Sequence, residues 1–126
     1  MGEIERVRAI RGATTVDRDC PEEIMERTSE LLLEMVSRNN VKPDDIIQIM
    51  FTSTQDLTSA FPATAARKLG WVDTPLITAV EMNVANSLDR CIRVLMTVYT
   101  TLSKSEIVHV YIGRAKELRP DLAHPD

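Results

Sequence analysis

Aromatic side chains are scarce in this sequence: Phe51, Phe61, Trp71, Tyr99 and Tyr111 are the only five among 126 residues. A stacking surface for nucleic-acid bases needs interleaved aromatic and basic residues, so that class of binding is not expected. Positive charge is not in excess either. A formal net charge of -4 removes the clustered cations on which general polyanion binding rests. With four glycines in the whole chain there is no glycine-rich phosphate loop, and neither a histidine pair at metal spacing nor a Gly-x-Ser-x-Gly nucleophile turn is present. Cys20 and Cys91 stand alone, without metal spacing, and fit two free thiols in a reducing cytosol. No run approaches the ~20 apolar residues of a membrane span, and the opening MGEIERVRAIRG has no apolar leader. A cytoplasmic protein without membrane partners is expected.

What the chain does contain is a globular composition, 44% hydrophobic and 27% charged. Its length allows one hydrophobic core and not two, so residues 1–126 read as a single domain that gains complexity only by self-association. Eleven of the fifteen basic residues are arginine. That bias suits a planar, bidentate grip on carboxylate or phosphate, and equally suits surface ion pairs.

Periodicity divides the chain into short elements. Ile4 to Ala13 reads as a strand with Val7, Ala9 and Arg11 on one face and Arg6, Arg8 and Ile10 on the other. Pro21 suits a first helical position, Glu22 and Glu23 its first turn, and Ile24, Thr28, Leu31, Leu32, Met35 and Val36 recur at helical spacing as far as Asn39. Ile46 to Thr52 is a β-branched apolar strand. Phe61 to Gly70 has the punctuation of a short helix, and Pro75 to Val80 reads as another strand. Leu88, Cys91, Ile92, Leu95 and Val98 predict a second long helix from Ser87 to about Tyr99, followed by a last strand over Ile107 to Ile112. The order predicts an α+β fold, a mixed sheet with helices on one face. Residues 119–126 read as a mobile polar tail.

Few residues invite chemistry. His109 falls within a predicted strand and His124 in the tail, so both read as structural or surface groups. Cys20 suits a capping or packing role and Cys91 a core one. What remains is a set of polar groups on otherwise apolar elements: Arg11, Arg67, Glu81, Arg93 and Tyr111. They are either ordinary ion pairs with a strand-edge phenol, or the lining of a pocket for a small polyanion.

The segment Ile10-Arg11-Gly12-Ala13-Thr14-Thr15-Val16 resembles the N-terminal signature of the AroH class of monofunctional chorismate mutases. Four more blocks agree in order: Phe61-Pro62-Ala63 with Arg67, Glu81-Met82, Cys91-Ile92-Arg93-Val94, and His109-Val110-Tyr111 with Leu118-Arg119-Pro120-Asp121-Leu122. The resemblance implies a cofactor-free Claisen rearrangement of chorismate to prephenate, which involves no covalent intermediate, in phenylalanine and tyrosine biosynthesis. It further implies a homotrimeric pseudo-α/β barrel with sites between subunits.

By the same resemblance, Arg93 contacts the ether oxygen of the breaking bond and Arg11 binds a carboxylate. Tyr111 hydrogen-bonds a carboxylate, and Glu81 orients the ring hydroxyl. Phe61, Ala63 and Leu118 line the pocket, Arg67 stands at its mouth, and Thr78 falls where relatives carry a small polar residue. Thr64 replaces a lysine of some relatives, and the segment from Arg67 to Glu81 is one residue shorter than in some. Thr78 and Glu81 are three apart on one strand, so their side chains leave opposite faces. One chain can hardly aim both at one ligand, whereas two subunits can. The competing expectations are an imine/enamine deaminase trimer of the RidA type and a noncatalytic metabolite-binding trimer.

Overall fold

The computed structural model describes residues 4–118. The expected mobile tail at 119–126, with His124 and the Arg119 to Leu122 block, lies outside them. The elements are β1 (Arg6–Thr15), α1 (Pro21–Arg38), β2 (Ile46–Ser53), α2 (Ala63–Lys68), β3 (Leu76–Val80), β4 (Cys91–Thr100) and β5 (Val110–Tyr111). Five strands form one mixed sheet in the order β3-β2-β4-β1-β5. β4 runs antiparallel to both of its neighbours, while the outer pairs β2 with β3 and β1 with β5 are parallel. No helix of the described residues is long and apolar enough to cross a membrane.

α1 forms where its pattern predicts. Pro21 opens it, Glu22 and Glu23 face the positive end of its dipole, and Ile24, Thr28, Leu31, Leu32 and Met35 make its buried face. Cys20 precedes the helix without making a side-chain cap bond. At the other end Asn40 adopts a positive φ of 52°, and the N–H of Val41 reaches back to the Val36 carbonyl at 2.9 Å, which satisfies a carbonyl the helix leaves open. Buried Asn39 then ties this end to the approach to β5: its Nδ2 donates to the carbonyls of Met35 and Val108, and its Oδ1 accepts the Val108 N–H.

α1 lies on one face of the sheet against Ile10, Ile49, Phe51, Val94, Met96 and Val98, all buried. The approach is close over β1. A Cβ added at Gly12 would stand 2.5 Å from Met35 Sδ and 3.1 Å from Leu31 Cδ1, so the glycine is what allows helix and strand to meet.

Two sequence expectations are corrected. The long helix from Ser87 to Tyr99 does not form; residues 81–90 are loop, and Cys91–Thr100 is the central strand β4. Ile92, Val94, Met96 and Val98 alternate toward α1, but Leu95 and Tyr99 make the other face partly apolar as well. A strand apolar on both faces imitates helical spacing. The last strand is also shorter than expected: only Val110 and Tyr111 pair with β1, and His109 lies just before them.

Candidate active site

The face of the sheet away from α1 gathers most of the polar candidates. Cross-strand register places Ala79 of β3, Thr52 of β2, Arg93 of β4, Ala13 of β1 and Tyr111 of β5 in one continuous row. Partners in such a row share a face and stand within side-chain reach. Ala13 is fully buried in a small cluster with Tyr111 and Ala115, against which Leu118 packs. Arg11 stands two residues along β1, opposite Leu95, on the same face. Arg11, Arg93, Tyr111, Leu118, Thr52 and Met50 together border a cavity of about 430 Å³, a volume suited to a small metabolite.

Glu81 joins this group from beyond the end of β3. Its backbone N–H donates to the Ser53 carbonyl at 2.9 Å, which carries the parallel pairing with β2 one residue further. Its Oε1 lies 3.1 Å from Arg93 Nε and accepts the Thr52 hydroxyl at 2.5 Å. Arg93 remains half exposed while Glu81 is mostly covered. Among the described residues no carboxylate lies within ion-pair distance of the Arg11 guanidinium. The Arg11 backbone N–H donates to His109 Nδ1 at 2.9 Å, so a side chain supplies the acceptor just before β5 begins. Two cations and a phenol border the cavity and no carboxylate does, Glu81 lying beside it as the partner of Arg93, and such a lining suits a dianion.

Cys91 supplies no nucleophile beside this group. It is buried at the start of β4, and burial pushes its thiol up to about 11, with the Arg93 cation opposing only in part.

The remaining candidates lie elsewhere. Thr78 pairs with Phe51, on the α1 side of the sheet, and borders a second cavity of about 460 Å³ with Phe61, Leu57 and Pro62. Phe61 is 70% exposed, which is unusual for so large an apolar side chain. Ala63 is buried in the core, Thr64 is half-buried on α2, and Arg67 is exposed at the end of α2. None of these three borders either cavity. Within one chain, therefore, Arg11, Glu81, Arg93, Tyr111 and Leu118 come together, while Phe61 and Thr78 form a separate group.

Sequence reasoning missed Thr52. For Thr52 a signal was available, since it is the one hydroxyl in the apolar run IIQIMFT and shares parity with exposed Met50.

A sequence model of the family described as chorismate mutase type I matches residues 7–122. The chain is similar to chorismate mutase AroH of Bacillus subtilis (strain 168), with 46% identity over 118 residues, covering 93% of each chain. It is also similar to chorismate mutase AroH of Thermus thermophilus, with 48% identity over 117 residues, covering 92% of this chain and 96% of that one. Among solved structures, a chorismate mutase from Clostridium thermocellum superimposes with a TM-score of 0.86 at 50% identity, over 87% of this chain and 98% of that one.

Proposed function

Because this chain belongs to the chorismate mutase type I family, we propose that its rearrangement takes place in the cavity bordered by Arg11, Arg93 and Tyr111, completed by a second subunit. The enzyme is a chorismate mutase, an isomerase of aromatic amino acid biosynthesis. The deaminase and the noncatalytic readings find no support in its relatives.

The reaction is a rearrangement within one molecule, so two physical levers are available. One is to hold the compact, chair-like conformer; the other is to stabilise the negative charge that grows on the ether oxygen as its bond breaks. Arg93 is the group for the second. Its guanidinium keeps its charge when water is excluded and offers several donors in a fixed fork. Arg11 and Tyr111 hold carboxylates of the substrate and so serve the first lever, while Glu81 both orients Arg93 and accepts from the ring hydroxyl. Leu118 closes the apolar side.

The observation that carries this reading is the row of Thr52, Arg93, Ala13 and Tyr111 across one face, with Arg11 and Glu81 beside it and Phe61 with Thr78 on the far side. A homotrimer resolves the separation. Phe61, Thr64, Arg67 and Thr78 of one subunit, backed by Ala63 in that subunit's core, then complete the site of the next, and the assembly covers the apolar residues of the open face. A cytoplasmic location suits an enzyme whose substrate and product are both soluble metabolites.

The activity is tested by following the loss of chorismate absorbance with purified protein; no turnover, together with tight binding of a bicyclic transition-state analogue, would leave only a binding protein. The shared site is tested by co-assembling an Arg93→Ala chain with a chain altered at Phe61. Mixed trimers contain some sites with both groups intact, so activity returns. Failure to regain activity in demonstrably mixed trimers would sink the shared site.

A further inference from the structure

We propose that Thr52 is a positioning residue for the rearrangement, its hydroxyl fixing the Glu81 carboxylate and, through it, the Arg93 guanidinium. The inference rests on the site assigned above and adds a residue to it.

The need for such a group follows from geometry and magnitudes. Arg93 stands on β4 with a half-exposed side chain, and its partner Glu81 lies beyond the last residue of β3. A single, partly solvated ion pair between two long side chains is worth little and holds no fixed orientation. Charge stabilisation at a breaking bond, by contrast, requires donors that are in place before the charge appears. Something must therefore immobilise the pair.

Thr52 is built into the sheet at the position to do so. It is the direct cross-strand partner of Arg93 on β2, and its Oγ1 reaches Glu81 Oε1 at 2.5 Å, the same oxygen that lies 3.1 Å from Arg93 Nε. One carboxylate oxygen thus accepts from a strand hydroxyl and is ion-paired with the guanidinium. Threonine suits the task because its β-branch restricts χ1 and favours a strand. A hydrogen bond to a charged group is stronger than a neutral one, and leaving a mostly covered carboxylate without it is costly.

The test compares Thr52→Val, Thr52→Ser, Glu81→Gln and the Thr52→Val/Glu81→Gln double variant, each in the assembled enzyme, by kcat, KM and thermal melting. Valine keeps the shape and strand preference and removes only the donor. We expect it to lower kcat about tenfold or more, with a smaller change in KM and a melting temperature lowered only slightly, since Arg93 still pairs with the carboxylate. Serine, which restores the hydroxyl, should recover most of that loss. In the Glu81→Gln background the valine should add little, because the chain from hydroxyl to guanidinium is already broken.

Wild-type kcat in Thr52→Val, an equal loss in Thr52→Ser, or an undiminished loss in the Glu81→Gln background would each overturn the role of Thr52. If Glu81→Gln itself kept full activity, the assignment of Glu81 would fall and this inference with it. If Glu81→Gln were impaired while Thr52→Val was not, only this inference would fall.

Discussion

The two faces of the sheet are built from the same strands and end in different states. Toward α1, Ile10, Phe51, Ile92, Met96 and Val98 are all 0% exposed; on the other side Val7 is 53%, Met50 44%, Ile77 60%, Leu95 42% and Tyr99 49% exposed. The first face is finished within one chain over β1, β2 and β4, where helix and strands bury each other, and stays open only at its β3 edge beside Phe61 and Val80. The second combines exposed apolar residues with Arg11, Arg93 and Glu81. A lone soluble chain gains nothing from so much bare apolar surface, which marks a contact or ligand face. Covered residues should therefore govern stability and open-face residues activity or assembly.

The largest expected effect falls on the open face. Arg93→Lys keeps the charge but loses the planar fork, and kcat should drop at least about a hundredfold, on the order of 3 kcal/mol of barrier. The melting temperature should move little, because the side chain is half exposed and lysine keeps a positive charge opposite Glu81. A near wild-type kcat would remove Arg93 from its assigned role, and a strongly lowered melting temperature would blur the division between faces.

The covered face should give the opposite result. Gly12→Ala places a methyl group 2.5 Å from Met35 Sδ, and both Met35 and Leu31 are fully buried. Overpacking of this kind costs about 1–3 kcal/mol, read as a lower urea midpoint. An unchanged midpoint would mean that α1 rides on β1 more loosely than the geometry indicates.

How much of this was legible in the sequence depended on pattern and length together. α1 carries a one-sided helical pattern, β2 is a β-branched apolar run too short for a long helix, and both formed close to their predicted bounds. β4 carries apolar residues on both faces, so its spacing matched a helix until tertiary pairing with β1 and β2 decided the matter. Arg11 and Arg93 could not be told from surface charges by pattern; matching blocks singled them out, and cross-strand register then brought them to one cavity. Alternation alone did place Thr78 and Glu81 on opposite faces, and they lie so. Thr52 stayed hidden because its partner Glu81 is 29 positions away, a distance that only the parallel pairing of β2 with β3 closes.

A smaller effect on the chain itself should come from Ile77→Lys. Ile77 is exposed beside Met50 and Leu95, so a lone subunit should change by no more than about 0.5 kcal/mol in stability. In the proposed trimer a buried lysine would be costly, and sedimentation should show smaller species with reduced turnover. An assembly unaffected by this lysine would mean that Ile77 is not part of the contact.

The smallest effect concerns a link between the turn before α1 and the segment that presents Phe61. The exposed Asp19 carboxylate accepts the Ser59 hydroxyl at 2.7 Å and the Thr58 hydroxyl at 2.9 Å, together with both backbone N–H groups. These bonds, led by the Ser59 hydroxyl and the Thr58 N–H, hold its pKa below the ordinary carboxylate value. A pKa lowered by folding contributes stability above the unfolded value, and that contribution is lost as pH falls through the folded one. Asn in place of Asp19 offers one acceptor oxygen and turns an amide donor toward donors. Asp19→Asn should therefore lower the urea midpoint slightly at pH 7, and the gap from wild type should narrow as pH falls below about 4, the ordinary carboxylate value, closing once the folded carboxyl, with its lower pKa, is protonated too. A gap of equal size at pH 7 and pH 3 would show that the charge is not what holds the Phe61 segment to α1.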